Sequence, residues 1–321
     1  MAYSVHSRAV VTRAAKTFGG VVASLLVSLP GVLVLSSPHV RALHRDLWHP
    51  SRVYQPLNTQ PDTLPSVFFW AWERPEDFRF LMSQDAGVAF LAKTIDLPSR
   101  SAVAGEDPSS HITVRPRFEP LRVNPATPLV AVVRIETPLG LHPTAYDQAS
   151  LSSVVYSQTQ LDELASEIAK LQFLHSVRAI QIDFDATVSE REFYTSLLSD
   201  VRHKLSATVP LSITALASWC IGDPWLEHLP PGTIQEAVPM LFRMGPDFAN
   251  VGKFLHSGEN FPVAACQGSL GLSTDESLSR ELLNGKVPSI PLSWRRKRVY
   301  LFAPRAWTSS SANSVLKEWQ R

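Results

Sequence analysis

The sequence predicts an α/β protein: a (β/α)8, TIM-barrel-like single domain preceded by an N-terminal apolar segment for export or anchoring. Three observations predict it. Eight short apolar strands recur between residues 67 and 321. Helical patterns alternate with them, and strict alternation implies parallel strands joined by crossover helices. Several of the strands carry charge on one face, as barrel strands do near their carboxyl ends. An open, doubly wound sheet is the alternative, and it wants central strands that are apolar on both faces.

The first strand is Val67 to Glu73 (VFFWAWE). Pro75 to Met82 follows as a short helix, with proline at its start and Glu76 and Asp77 in its first turn. Gly87 to Leu97 is the second strand. Residues 98–128 hold loops or short edge strands. Leu129 to Glu136 (LVAVVRIE) is the third strand. Ser157 to His175 is an amphipathic helix, because Leu161, Leu164, Ile168, Leu171 and Leu174 recur at three- and four-residue spacing. Residues 179–187 (AIQIDFDAT) are the fourth strand. Ser189 to Ser206 is the next helix, with Ser189 and Glu192 spaced as a capping box. Pro210 to Trp219, Glu236 to Met244, Pro262 to Gly271 and Arg298 to Trp307 are strands five to eight. Helices at Pro246 to His256, Thr274 to Leu283 and Ser310 to Gln320 lie after strands six, seven and eight.

Residues 1–45 read as a signal peptide or signal anchor. Arg8, Arg13 and Lys16 precede a stretch, Thr17 to Val40, without Lys, Arg, Asp or Glu. That is a positive region followed by an apolar one, long enough to cross a bilayer once. A buried helix of the fold is the alternative. Pro30 and Gly31 interrupt the stretch and no clean A-x-A site follows. Residues 46–66 are polar and Pro-rich, a linker into the barrel at 67–321. The expected place is therefore the periplasm or the periplasmic face of the inner membrane.

Composition excludes some classes. The chain has 321 residues, 18% charged, with a formal net charge of +1, so no concentrated basic surface meets nucleic acid. The one dense basic run, Arg295 to Arg298, reads as a solvated loop. No phosphate-binding glycine loop, nucleophile elbow or H-E-x-x-H helix is present, and no cofactor is called for. Cys220 and Cys266, the only cysteines, form a disulfide after export or are small buried residues. Oligomeric state is not readable.

The fourth strand carries the chemistry. Side chains alternate across a strand, so Gln181, Asp183 and Asp185 share one face. Two acids about 7 Å apart at Cα, in a partly dry barrel, cannot both ionise freely, and one pKa rises. A carboxyl kept protonated is a general acid and its ionised neighbour a base or a stabiliser of positive charge. Glycoside hydrolysis uses such a pair. In a barrel, the strand ends converge on one mouth. Asp183, Asp185, Glu136 and Glu73 are the catalytic candidates. Trp72, Lys93, Arg134, Gln181, Trp219, Arg243 and Trp307 are the substrate-binding candidates, the tryptophans as flat faces for sugar rings. An inert ion-pair network is the competing reading of the same charges. A metal held by Asp183, Asp185 and Glu136 is a minor alternative, and no metal is assigned.

The strings FFWAWERPEDFRFL, QIDFDATVSEREFY, LSITALASWC and EAVPMLFRMG resemble an uncharacterised bacterial family, domain of unknown function 3142. The resemblance implies an exported bacterial protein with a barrel-like fold and brings no activity. A more distant likeness is to chitinase-like (family 18) glycosidase barrels, whose fourth strand carries D-x-x-D-x-D-x-E. Asp183 and Asp185 match the middle acids. Ile180 stands at the first Asp and Thr187 at the final Glu, which in that family is the general acid. That family's substrate-assisted mechanism therefore does not transfer. An acid from elsewhere, Glu73, Glu136 or Glu190, must act, or the protein is a non-catalytic saccharide- or envelope-binding barrel.

Overall fold

The computed structural model describes residues 64–81, 86–98, 111–137, 156–285, 294 and 297–319. The chain divides into Met1–Val53 and Tyr54–Arg321, and all described residues belong to the second unit. The predicted apolar segment and most of the linker lie outside them. No helix among the described residues is long and apolar enough to cross a membrane.

Eight parallel strands close into a barrel: β1 Val67–Ala71, β2 Ala86–Asp96, β3 Leu129–Glu136, β4 Val177–Asp183, β5 Leu211–Leu216, β6 Glu236–Met240, β7 Ser269–Ser273 and β8 Arg298–Phe302. Each pairs with the next, and β8 returns to β1 through Phe68↔Tyr300 and its neighbours. The outer layer holds α1 Gln158–Ala169, α2 Arg191–Lys204, α3 Ala217–Ile221, α4 Phe248–Ser257, α5 Ser277–Leu283 and α6 Ser309–Trp319.

Strand alternation sorts the apolar residues into two cores. Phe68, Trp70, Ala89, Val130, Val132, Ala179, Val238 and Tyr300 fill the barrel. Their strand neighbours, such as Val67, Phe69, Ala131, Val133, Ile180 and Ile182, pack outward under the helices. Near the amino ends of the strands, Glu236 accepts from Arg298 Nη1 (2.8 Å) and the Tyr300 hydroxyl (2.8 Å). This paired charge plugs that end, and the open end lies at the carboxyl ends of the strands.

Four local expectations are corrected. The predicted helix Pro75 to Met82 does not form over its described residues, 75–81: Glu76–Asp77 pair with Leu121–Arg122 as a two-residue ribbon. Glu76, nearly fully buried, accepts from Arg74 Nε (2.6 Å) and the Trp307 amide (3.0 Å). Its tertiary partners override the helix signal. The capping box uses Thr187 and Glu190, two residues earlier than expected, because the chain turns into a 3-10 helix at Val188 before α2. Strand five stops at Leu216 and α3 begins at once, so Trp219 is helical. Strand seven begins at Ser269, and residues 264–266 form a 3-10 turn. Cys220 and Cys266 are joined in a disulfide with Cα atoms 5.8 Å apart.

Candidate active site

Asp183 is the last residue of β4 and points into the barrel above Gln181. The register of β4 on β5 pairs Gln181 with Ser212, which sets Thr214 level with Asp183. The Thr214 hydroxyl donates to Asp183 Oδ1 (2.7 Å). On the other side Arg134 of β3, directly paired with Asp183 in register, donates to Oδ2 (3.0 Å). Both carboxylate oxygens are therefore held, on a side chain only 11% exposed.

Asp185 lies two residues beyond the strand. Phe184 and Ala186 are buried on either side of it. Its own side chain reaches solvent, and among the described residues it has no hydrogen-bond or ion-pair partner. Protein nonetheless crowds it at the barrel mouth. That desolvation raises its pKa first, and the charge of Asp183 raises it further, while Arg134 opposes both. Of the acid pair, Asp185 is the member whose pKa is raised.

The two acids line a cleft of about 420 Å3 at the barrel mouth. Its facing wall is aromatic. Trp72 stacks on Trp70 at 6.2 Å, Trp70 on Phe302 at 4.3 Å, and Phe302 meets Phe242 at 4.6 Å. The Arg134 guanidinium lies 5.4 Å over the Trp72 ring and joins this wall to the acids. Arg243 lines the cleft from the segment after β6. Trp70, Phe242 and Phe302 were not among the sequence candidates. Phe242 and Phe302 follow Met240 and Tyr300 by two residues on inward faces, a signal hidden by counting tryptophans alone. Thr214 belongs to no motif in the sequence, and only the β4–β5 register reveals its bond to Asp183.

Of the predicted residues, Asp183, Asp185, Trp72, Arg134 and Arg243 line the cleft. Glu136 stands beside it, spent on Arg134 (3.1 Å) and on Arg115 of the edge strand Thr113–Pro116 (2.6 Å). Arg115 also bridges to Asp96. Gln181 is fully buried in the barrel below Asp183. Its amide nitrogen donates to Ser212 (3.1 Å) and its oxygen has no partner.

Four candidates fall elsewhere. Glu73 is exposed on the loop after β1 and is not part of the cleft lining. Lys93 faces the helices, bonding the carboxylate and the carbonyl of Glu167 in α1 (both 3.1 Å). The register of β2 shifts between Leu91 and Lys93. That bulge turns Lys93 outward, and it turns Thr94 and Asp96 to the level of Arg134 and Glu136. Trp219 is buried against Trp225 at 5.2 Å. Trp307 is buried too; it meets Phe69 at 4.8 Å and donates its indole N–H to the Trp70 carbonyl. Both are core residues without a free face.

Thr187, at the position of the family's general acid, is a cap. Its amide and hydroxyl both donate to Glu190 Oε2 (2.8 Å each), and the Tyr156 hydroxyl donates to Oε1 (2.6 Å). Glu190 is 1% exposed and both oxygens are used. It fixes the loop that carries Asp185 and is closed to a substrate.

No family model and no curated protein matches the chain. The resemblance to domain of unknown function 3142 stands on the quoted strings alone. Among solved structures, the chain is similar to the spore cortex-lytic enzyme SleL of Bacillus cereus. Identity is 13% and the TM-score 0.36, over 66% of this chain and 51% of that one, so the chain spans about half its length. It is also similar to the chitinase domain of the spore coat protein CotE of Clostridium difficile. Identity is 14% and the TM-score 0.34, over 78% of this chain and 68% of that one. Likeness at this level carries nothing about the chemistry of the cleft.

Proposed function

We propose that the chain is a glycoside-hydrolase-like barrel that acts on a glycan at the cleft above β4. The observation that carries the reading is the opposition of an acid pair to an aromatic wall across one cleft. Asp185 serves as the proton donor, supported by its crowded setting and its lack of another partner among the described residues. Asp183, held between Arg134 and Thr214, stabilises positive charge that develops on the sugar ring. Trp72, Trp70, Phe302 and Phe242 offer the apolar faces on which rings stack.

Export to the periplasm, with residues 1–45 as signal or anchor, belongs to the same proposal. The Cys220–Cys266 disulfide supports it, since such bonds persist in oxidising compartments. Membership of the uncharacterised family resembled by the four strings is part of it as well.

The second reading is a non-catalytic saccharide-binding barrel. The engagement of Asp183 and Glu136 by arginines favours it, because a satisfied ion-pair network needs no reaction to explain it. One experiment separates the two. Envelope polysaccharides are screened for hydrolysis with the wild type and with Asp183→Asn, Asp185→Asn and Glu136→Gln. The enzyme reading expects turnover lost by at least a hundredfold in Asp185→Asn and retained in Glu136→Gln. Binding without turnover in the wild type leaves only the second reading.

A further inference from the structure

We infer that the saccharide taken by this cleft carries an oxyanion substituent, a carboxylate, sulfate or phosphate, and that Arg243 recognises it. The inference rests on the saccharide reading above. Three arginines line the cleft. Two are spent. Arg134 holds Asp183 and Glu136 and covers Trp72. Arg74 donates to Glu76 (2.6 Å) and to the carbonyls of Ala303 (2.9 Å) and Arg305 (2.7 Å). Arg243 alone keeps its guanidinium free: among the described residues no hydrogen bond, ion pair or ring contact engages it.

Its presentation is built. Arg243 has φ 52°, in the left-handed region that residues with a Cβ seldom adopt. Its amide donates to Glu276 Oε1 (3.1 Å), which clamps that conformation. Strain retained at one arginine in a cleft marks a position held for use. The adjacent Phe242 belongs to the aromatic wall, so a ring stacked there lies next to the free guanidinium.

The opposite wall does not repel an anion strongly. The charge of Asp183 is met by Arg134 on that wall. A guanidinium binds carboxylate, sulfate or phosphate through two parallel hydrogen bonds, and no neutral sugar group satisfies it as well.

The test is an array of neutral, uronic-acid, sulfated and phosphorylated oligosaccharides, probed with the full chain and with Arg243→Gly and Arg243→Lys. Glycine accepts the backbone conformation, so the first variant keeps the fold. The expected result is binding to one anionic class, weakened at least tenfold in Arg243→Gly and partly kept in Arg243→Lys. The class bound distinguishes carboxylate from sulfate and phosphate. Binding to neutral sugars alone, or anionic binding unchanged in Arg243→Gly, overturns the inference and spares the saccharide reading. No binding to any sugar overturns both.

Discussion

The closure of the barrel between β1 and β2 depends on a missing side chain. Gly87 is level with Phe68 in register. A Cβ at Gly87 meets Phe68 Cε1 at 2.5 Å and the Pro128 carbonyl oxygen at 2.7 Å. Neither neighbour is free to move. Phe68 is fully buried and stacked on Tyr300 at 5.3 Å. The Pro128 oxygen accepts the Val88 amide at 3.0 Å, a rung between β2 and the start of β3. Overpacking costs about 1–3 kcal/mol, and a weakened rung adds about 1 kcal/mol. The lower entropy of unfolded alanine returns about 0.5–1 kcal/mol. Gly87→Ala therefore destabilises by about 1–3.5 kcal/mol, read as a lowered urea midpoint with an unchanged slope. Gly222→Ala is the control, since nothing lies within 4 Å of its added methyl; its change stays within about 0.5 kcal/mol. Equal behaviour of the two variants would refute the packing described for the barrel interior beneath the site.

Two further predictions concern the scaffold and the cap. Replacing both Cys220 and Cys266 by serine opens a loop of 46 residues and lowers stability by about 4 kcal/mol on the chain-entropy account; denaturation with and without reductant measures it, and reductant leaves the variant unchanged. Thr187→Glu, which restores the chitinase-like acid, sets a second carboxylate against buried Glu190 and removes its hydroxyl donor. It costs about 2 kcal/mol or more and adds no hydrolysis, as thermal melts and the polysaccharide screen will report.

Most of the barrel is legible in the sequence because its strands end where their apolar runs end. Leu129–Glu136 matches residue for residue, and α1 follows its leucine spacing. The acid pair is legible for the same reason, since alternation alone puts Asp183 and Asp185 on the mouth side. What fails is whatever depends on a register shift or on a partner distant in sequence. One bulge near Lys93 reverses the side on which it lies. Trp219 and Trp307 share the residue type of a sugar platform, and only their packing against Trp225 and Phe69 identifies them as core. Glu190 has the spacing of a helix cap and the charge of a catalytic acid, and the Tyr156 hydroxyl with Thr187 decides for the cap.

The proton-donor role proposed for Asp185 rests on a claim that its pKa is raised at the barrel mouth. A raised folded pKa makes ionisation of Asp185 unfavourable to the fold, so its contribution falls as pH rises from the ordinary carboxylate value through the folded one. Relative to wild type, Asp185→Asn is accordingly more stable at pH 7 than at pH 3. The direct measurement is a carbon-13 NMR titration of the Asp185 carboxyl in wild type, Asp183→Asn and Arg134→Met. The predicted midpoint lies above 3.8, the ordinary value. It falls when the charge of Asp183 is removed and rises when Arg134 is removed. A midpoint at or below the ordinary value, indifferent to both substitutions, contradicts the claim.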